Sequence, residues 1–305
     1  MPAPFAAIDL GTNTARLLIG TTDGKTVVHL ALERRITRLG GGFTRDAGIS
    51  PAAWQRSLAA LSDFAAAMKR AGVTRLRAVA TSAVRDAVNG EDFRNDVRNK
   101  TGITLEIIDG REEGLLTLNG VLSGLEPVAP RVFVFDVGGG STEYTLAEGV
   151  TPLFTASLPL GVVRLTEGKH ADPDAMVGKI ERELSALQER LSKDGFRASR
   201  AGTTLVGTAG TATTLAAISR KLPVYDHRLV NNTVLSQREI AAIYDMLLPL
   251  SPEERLKVPG MEKGREDLII AGTLLTLKTM EIFAFDQLTV SDFGLLEGVL
   301  LSMAE

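Results

Sequence analysis

Apolar positions along the chain fall into two alternating rhythms. Residues 4–10 and 15–20 are short apolar runs on either side of a turn at Asp9, and Thr26–Leu32 follows the turn at Asp23-Gly24, which predicts a three-strand meander. From Ser50-Pro51 the spacing changes to three and four, with Trp54, Leu58, Leu61, Phe64 and Met68 on one face. This predicts a helix capped by Ser50, opened by Pro51 and ended by Gly72. Arg75–Ala80 then reads as a strand leading into Thr81–Arg85. A helix follows over 90–100, a strand at Leu105–Ile108 and a helix from Glu112 to Leu122, giving the order βββαβαβα.

Two prolines and a glycine in Gly124–Pro130 break the rhythm, after which it starts again. Strands are expected at 131–136, 142–147 and 152–158. A long helix from Pro173 to Leu191 carries Met176, Ile180, Leu184, Leu187 and Leu191 on one face, and a strand at Thr204–Gly207 runs into Thr208–Thr213 and a helix. Val290–Leu300 reads as a strand and a final helix. The chain therefore divides into domains at 1–123 and 124–305, each beginning with a meander whose first turn carries Asp-x-Gly, a repeat of topology rather than of whole sequence. The cleft between such domains is where a site is expected.

The length of 305 residues and the 44% hydrophobic content suffice for two cores. A formal charge of −3 gives no sign of a nucleic-acid binder or a membrane-surface protein, so any polyanion must be held by local basic residues. The absence of cysteine excludes disulfides, zinc-thiolate sites and thiol nucleophiles, and His29, His170 and His227 are too scattered for a metal cluster. Oxygen ligands remain, and they favour Mg²⁺. Met1–Phe5 lacks a basic leader and no apolar run reaches a membrane span, so a cytoplasmic protein is expected.

The candidate chemistry centres on the two turns, Ala7–Thr14 and Phe133–Glu143. In each, a strand delivers an aspartate, Asp9 or Asp136, to its end, and glycines follow that let backbone N–H groups face outward as an anion cradle. Asp9, Asp136 and Glu143 would form an oxygen-only site for Mg²⁺. Thr12, Asn13, Ser141 and the N–H groups of Gly138, Gly139 and Gly140 would hydrogen-bond phosphate. Positive charge would come from Arg85 first, then Arg16 and Arg265. Arg34-Arg35-Ile-Thr-Arg38 could extend a basic track but reads first as a solvated face. On spacing alone, Glu112 and Glu113 are acidic residues favouring the start of a helix.

Seven segments in order, Ala7–Arg16, Ala80–Arg85, Arg111–Gly114, Asp136–Glu143, Gly207–Thr211, Gly264–Asp267 and Val290–Gly298, resemble the exopolyphosphatase/guanosine pentaphosphate phosphohydrolase (Ppx/GppA) family in its short two-domain form. That family lies within the actin/hexokinase/Hsp70 superfamily. The resemblance implies an α/β fold of two ribonuclease H-like (actin-like ATPase) domains, each a five-stranded mixed sheet with helices. It also implies Glu113 as the water-activating base, with Glu112 structural and the second loop's Asp136 and Glu143 holding the metal. The implied activity is Mg²⁺-dependent release of terminal orthophosphate from inorganic polyphosphate. The alternative is hydrolysis of guanosine pentaphosphate (pppGpp), with guanosine penta- and tetraphosphate as ligands, and behind it a non-catalytic alarmone sensor. A sugar or acetate kinase would need an acceptor-binding insertion that the short connections do not provide. Asp292 and Gly114 depart from the family's usual glycine and alanine, which affects packing more than chemistry. The apolar final helix, with Leu295, Leu296, Val299 and Leu300, suggests self-pairing into a homodimer.

Overall fold

The computed structural model describes residues 3–43, 46–167, 172–199 and 201–304; Met1 and Pro2 of the N-terminal reading, and His170, lie outside them. Two compact units emerge, Met1–Ser123 together with Gly294–Glu305, and Gly124–Phe293.

The first unit is built on a mixed five-stranded sheet of order β3-β2-β1-β4-β5. Its strands are β1 (Phe5–Leu10), β2 (Thr14–Thr22), β3 (Val27–Ile36), β4 (Arg75–Ala80) and β5 (Leu105–Ile107). The antiparallel meander matches the sequence expectation, except that β3 runs on to Ile36 across a bulge opposite Ile19/Gly20. β1, β4 and β5 are parallel, with Leu10 opposite Ala80 and Ala80 opposite Ile107, so their C-terminal ends coincide along one edge. Helix α1 (Pro51–Arg70) begins where Ser50 Oγ accepts the Ala53 N–H, and it lays Leu58, Leu61 and Phe64 over Leu17 and Ile19. A single turn, α2 (Ser82–Arg85), follows β4, then α3 (Gly90–Thr101), and α4 (Gly110–Gly124) follows β5.

The second unit carries β6 (Arg131–Val137), β7 (Thr142–Glu148), β8 (Thr151–Leu158), α5 (Val162–Thr166), α6 (Pro173–Lys193), β9 (Thr203–Thr208), α7 (Ala209–Ser219), α8 (His227–Val230), β10 (Val234–Ser236), α9 (Gln237–Leu247), α10 (Pro252–Arg255), α11 (Ile269–Ile282) and β11 (Gln287–Val290). Its sheet, β10-β11-β9-β6-β7-β8, is again mixed but has six strands instead of the five expected. The added strand is β10, a short edge piece antiparallel to β11. It is hard to see in sequence because Val234-Leu235-Ser236 is already the lead-in to the Ser236/Glu239 capping box of α9. Phe133, Phe135 and Tyr144 stack in the core, and burial pushes the Tyr144 phenol up while its hydroxyl pairs with Thr279 Oγ1 at 2.8 Å.

The chain then returns to the first unit. Helix α12 (Leu295–Leu301) was expected in the domain 124–305, but it packs on the first sheet. Leu295, Leu296, Val299 and Leu300 are buried with Ala7, Leu18, Val79 and Leu116. The apolar face read as a self-pairing surface is therefore spent inside the unit. Close approach of α4 and α12 depends on two glycines. A Cβ on Gly120 would enter the Gly294 carbonyl, and one on Gly298 would enter the Leu116 carbonyl. Gly294 N–H and His29 Nε2 meet the buried Glu297 carboxylate at 2.7 and 3.1 Å and pin the start of the helix.

Because those carbonyls belong to backbone, Gly298→Ala should lower unfolding free energy by about 2–4 kcal/mol. Gly178→Ala, at an open position inside α6, should instead raise it by about 0.5–1 kcal/mol. Urea unfolding of the two variants beside the parent checks both signs.

Candidate active site

The two Asp-x-Gly turns share one hydrogen-bond geometry. Gly11 N–H donates to Thr14 O at 2.9 Å, and Gly138 N–H donates to Ser141 O at 3.0 Å. In both hairpins the aspartate lies directly across from the residue seven positions on, Asp9 opposite Arg16 and Asp136 opposite Glu143. Directly opposed residues share a sheet face, so what stands at that position decides the electrostatics of each turn.

In the first unit that residue is an arginine. Arg16 Nε and Nη2 both donate to Asp9 Oδ2, at 3.0 and 2.7 Å. The buried carboxylate of Asp9, expected as a metal ligand, here accepts from a fork of N–H donors. Arg16, expected on phosphate, spends two of its three nitrogens here. Thr12 Oγ1 pairs with Ser82 Oγ at 3.0 Å, while Thr12 O and Asn13 O accept N–H groups from Gly40 and from Thr37 and Arg38. The N–H of a trans peptide points opposite to its carbonyl, so Asn13 N–H is turned away from the 37–40 segment. Ser82 was not singled out from sequence. Its signal was its place just past the end of β4, inside the Ala80–Arg85 segment.

At the same strand edge, α4 brings up the glutamate pair. Asp109 Oδ1 caps the helix by accepting Glu112 N–H at 2.8 Å. Glu112 turns outward to Arg77, whose Nη2 donates to it at 2.7 Å and whose Nε donates to Glu106 at 3.0 Å, the structural role expected of Glu112. Glu113 turns inward and is 7% exposed. Arg85 Nη1 lies 3.9 Å from Glu113 Oε2 while donating to Ile108 O at 2.9 Å, so a carbonyl at the end of β5 fixes the guanidinium beside the carboxylate.

In the second unit the aspartate faces a second carboxylate. Asp136 and Glu143 are 7% and 2% exposed, and Ser157 Oγ donates to Glu143 Oε1 at 2.7 Å. Like charges directly opposed across a ladder repel, the more so when desolvated, and a hard divalent cation is the partner such an oxygen pair suits. The donor set therefore fits Mg²⁺ through Asp136 and Glu143. Among the described residues no group of three or more His, Cys, Asp or Glu side chains is placed to hold a metal ion.

The glycine loop beside this pair is oriented by α5. Gly138 O accepts Val162 N–H, Gly139 O accepts Val163 and Arg164 N–H, and Gly140 O accepts Arg164 Nε at 3.0 Å. With these carbonyls turned to α5, the N–H groups of Gly139, Gly140 and Ser141 point the other way and form an anion nest. Gly138, expected in that nest, is replaced by Ser141, since its own N–H is consumed within the turn. Arg164 was also unforeseen, being a lone charge one turn past Gly161. Arg265 packs its guanidinium on the backbone of Gly210 at the start of α7. Asp292 accepts the Tyr225 hydroxyl, and burial together with that carboxylate pushes the phenol up.

The comparisons agree with this architecture. Residues 18–305 match the model of the Ppx/GppA phosphatase family. Exopolyphosphatase 2 of Mycobacterium tuberculosis is 34% identical over 98% of both chains. Among solved structures, the Aquifex aeolicus Ppx/GppA family member is 33% identical with a TM-score of 0.81, covering 99% of this chain and 97% of that one. An exopolyphosphatase from Cytophaga hutchinsonii is 26% identical with a TM-score of 0.87 over 99% and 97%. These likenesses and the two α/β units define a phosphoanhydride hydrolase of the actin-like fold. The chain belongs to the Ppx/GppA phosphatase family.

A Cβ at Gly161 would run into the backbone of Gly139 and Gly140. Gly161→Ala should therefore push the nest off α5 and cost about 2–4 kcal/mol. Calorimetric melting would show it, with amide exchange at Gly139–Ser141 speeding up ahead of the β6 core.

Proposed function

We propose that the chain is a Mg²⁺-dependent exopolyphosphatase that releases terminal orthophosphate from inorganic polyphosphate in the cytoplasm. The observation that carries this reading is the buried Glu113 carboxylate held beside the Arg85 guanidinium at the C-terminal edge of a parallel strand set. The full-length likeness to mycobacterial exopolyphosphatase 2 supports the choice of substrate.

In this mechanism Glu113 accepts a proton from a water molecule as the water oxygen attacks the terminal phosphorus. The new P–O bond forms as the bond from phosphorus to the bridging oxygen breaks. Orthophosphate departs, the shortened chain leaves with its charge on the former bridging oxygen, and the proton on Glu113 passes to solvent. Arg85 faces the phosphoryl oxygens where charge develops, and the N–H groups of Gly139, Gly140 and Ser141, with Thr12 and Asn13, hold phosphates without adding net charge. Asp136 and Glu143 would hold the cation, which when bound offsets charge on phosphate oxygens. Arg265 binds phosphate at the head of α7 in this reading.

Glu113→Gln keeps the shape of the side chain and removes its basicity, so orthophosphate release from polyphosphate should fall by about 10²–10⁴-fold with the melting temperature nearly unchanged. Release at the parental rate would dismiss Glu113 as the base. Arg85→Ala should cost more than about tenfold in kcat, by loss of charge stabilisation in the transition state. A chelator should abolish turnover and added Mg²⁺ restore it. Running pppGpp beside polyphosphate as substrate tests the alternative, because release from pppGpp alone would reassign the substrate.

A further inference from the structure

The end of β6 opposite the glycine loop carries a group of polar side chains that the proposed chemistry does not use. Arg131, the first residue of β6, stands directly opposite Glu148 on β7 and Thr203 on β9, so the three share one sheet face. Arg131 is buried, yet its guanidinium is held more than it is neutralised. Nη2 donates to Arg197 O at 3.2 Å, and Nη1 lies 3.8 Å from Oε2 of an exposed Glu148. An ion pair longer than a hydrogen bond, with its carboxylate in solvent, offsets little of the charge. Arg131 Nε and Thr203 Oγ1 are both buried without a hydrogen-bond partner among the described residues. A buried guanidinium left this incomplete is stabilised by any added acceptor.

The end of α6 shapes the space in front of Arg131. Gly195 takes a φ of +80°, its N–H donates to Ser192 O at 3.1 Å, and Phe196 N–H donates to Leu191 O at 2.8 Å, the paired bonds that close a helix on a left-handed residue. The chain that leaves this turn brings Arg197 O to the Arg131 guanidinium and encloses a hollow of about 690 Å³, whose lining includes Arg131, Glu148, Leu153, Phe196, Arg197 and Ser199. A space of that size suits a small molecule. Leu153 and Phe196, both half-buried, give it an apolar wall, and the exposed Arg197 adds a second guanidinium. Two guanidiniums beside one carboxylate favour a single negative charge over a dianion, and the apolar wall favours a ligand with a hydrocarbon body.

We propose that this hollow binds a small organic acid, its carboxylate on Arg131 and Arg197 and its apolar body against Phe196 and Leu153. Five residue steps along β6, roughly 17 Å, separate Arg131 from Asp136, so the site is distinct from the glycine loop and does not depend on how the chain handles phosphate.

Hexanoate, titrated calorimetrically into the full chain, is the probe. Hexanol, which keeps the hydrocarbon and lacks the charge, and acetate, which keeps the charge and lacks the hydrocarbon, should each bind at least about tenfold more weakly. Arg197→Ala should weaken hexanoate by about five- to tenfold with the melting temperature unchanged. Because Arg131 also ties down Arg197 O, its own replacement can disturb the fold, and Glu148→Gln supplies the second variant. Removing the competing carboxylate should tighten hexanoate by about two- to fivefold, a gain that a purely structural Arg131 would not produce. No binding of hexanoate, hexanol binding as tightly, or parental affinity in both Arg197→Ala and Glu148→Gln would overturn the proposal. Inorganic phosphate binding as tightly as hexanoate would also overturn it, by making the hollow a site for inorganic anions.

Discussion

The structure turns on what faces the aspartate in each Asp-x-Gly hairpin. The same i to i+3 turn, closed by Gly11 in one unit and Gly138 in the other, fixes the register so that a residue seven positions on shares the aspartate's face. Arginine at that position closes the charge locally, and the first turn becomes a rigid neutral post that positions Thr12 and Asn13. Glutamate there leaves two buried carboxylates in opposition, a state whose desolvation cost is offset by positive charge and by hydrogen bonds such as the one from Ser157 Oγ. One backbone device thus yields an ion-paired aspartate in one unit and an opposed carboxylate pair in the other, and the difference resides in a single side chain.

The fold around each hairpin makes that register dependable. In the first unit the strand ends are knitted together, Thr81 N–H to Leu10 O and Ile108 N–H to Ala80 O, so Asp9, Arg85 and Glu113 inherit their spacing from the sheet rather than from loops. Helix α12 covers the face opposite α1, and it fits only because Gly120 and Gly298 let two backbones touch. In the second unit α5 does for the glycine loop what the 37–40 segment does for the first turn, taking up carbonyls so that the amide edge is presented.

How much of this was legible in the sequence follows from the range of the interactions. The meanders, α1 and α6 announce themselves through local periodicity and caps, and the unit boundary at Ser123/Gly124 through its glycine and prolines. The placement of α12 was not legible, because its apolar stripe would suit either unit and only the contacts with Leu18, Val79 and Leu116 decide. The edge strand β10 was hidden by its brevity. In the candidate site the residue types could be named in advance, but their partners are set by strand register and not by composition. Hence neither the Arg16 fork on Asp9 nor the closure of the turn by Gly138 N–H could be read from residue types alone. Arg164 and Ser82 lay beyond reach for the same reason, each acting through a loop distant in sequence.

A chain with a formal charge of −3 is a poor candidate for holding a polyanion by its overall field. The arrangement here replaces a field with aim. In the proposed mechanism the backbone amides of the glycine loop attract phosphate without entering the charge count. The arginines that do count are drawn to one strand edge by register and by carbonyls such as Ile108 O, while acids such as Glu106 and Glu112 are neutralised by Arg77 outside that line. Net charge therefore says little about substrate in a fold of this kind. A surface can be acidic on average and still present an ordered series of donors, provided each cation is fixed by a neighbour instead of by solvent. In the first unit, the neighbours that fix Arg85 and Arg16 are Ile108 O and the Asp9 carboxylate.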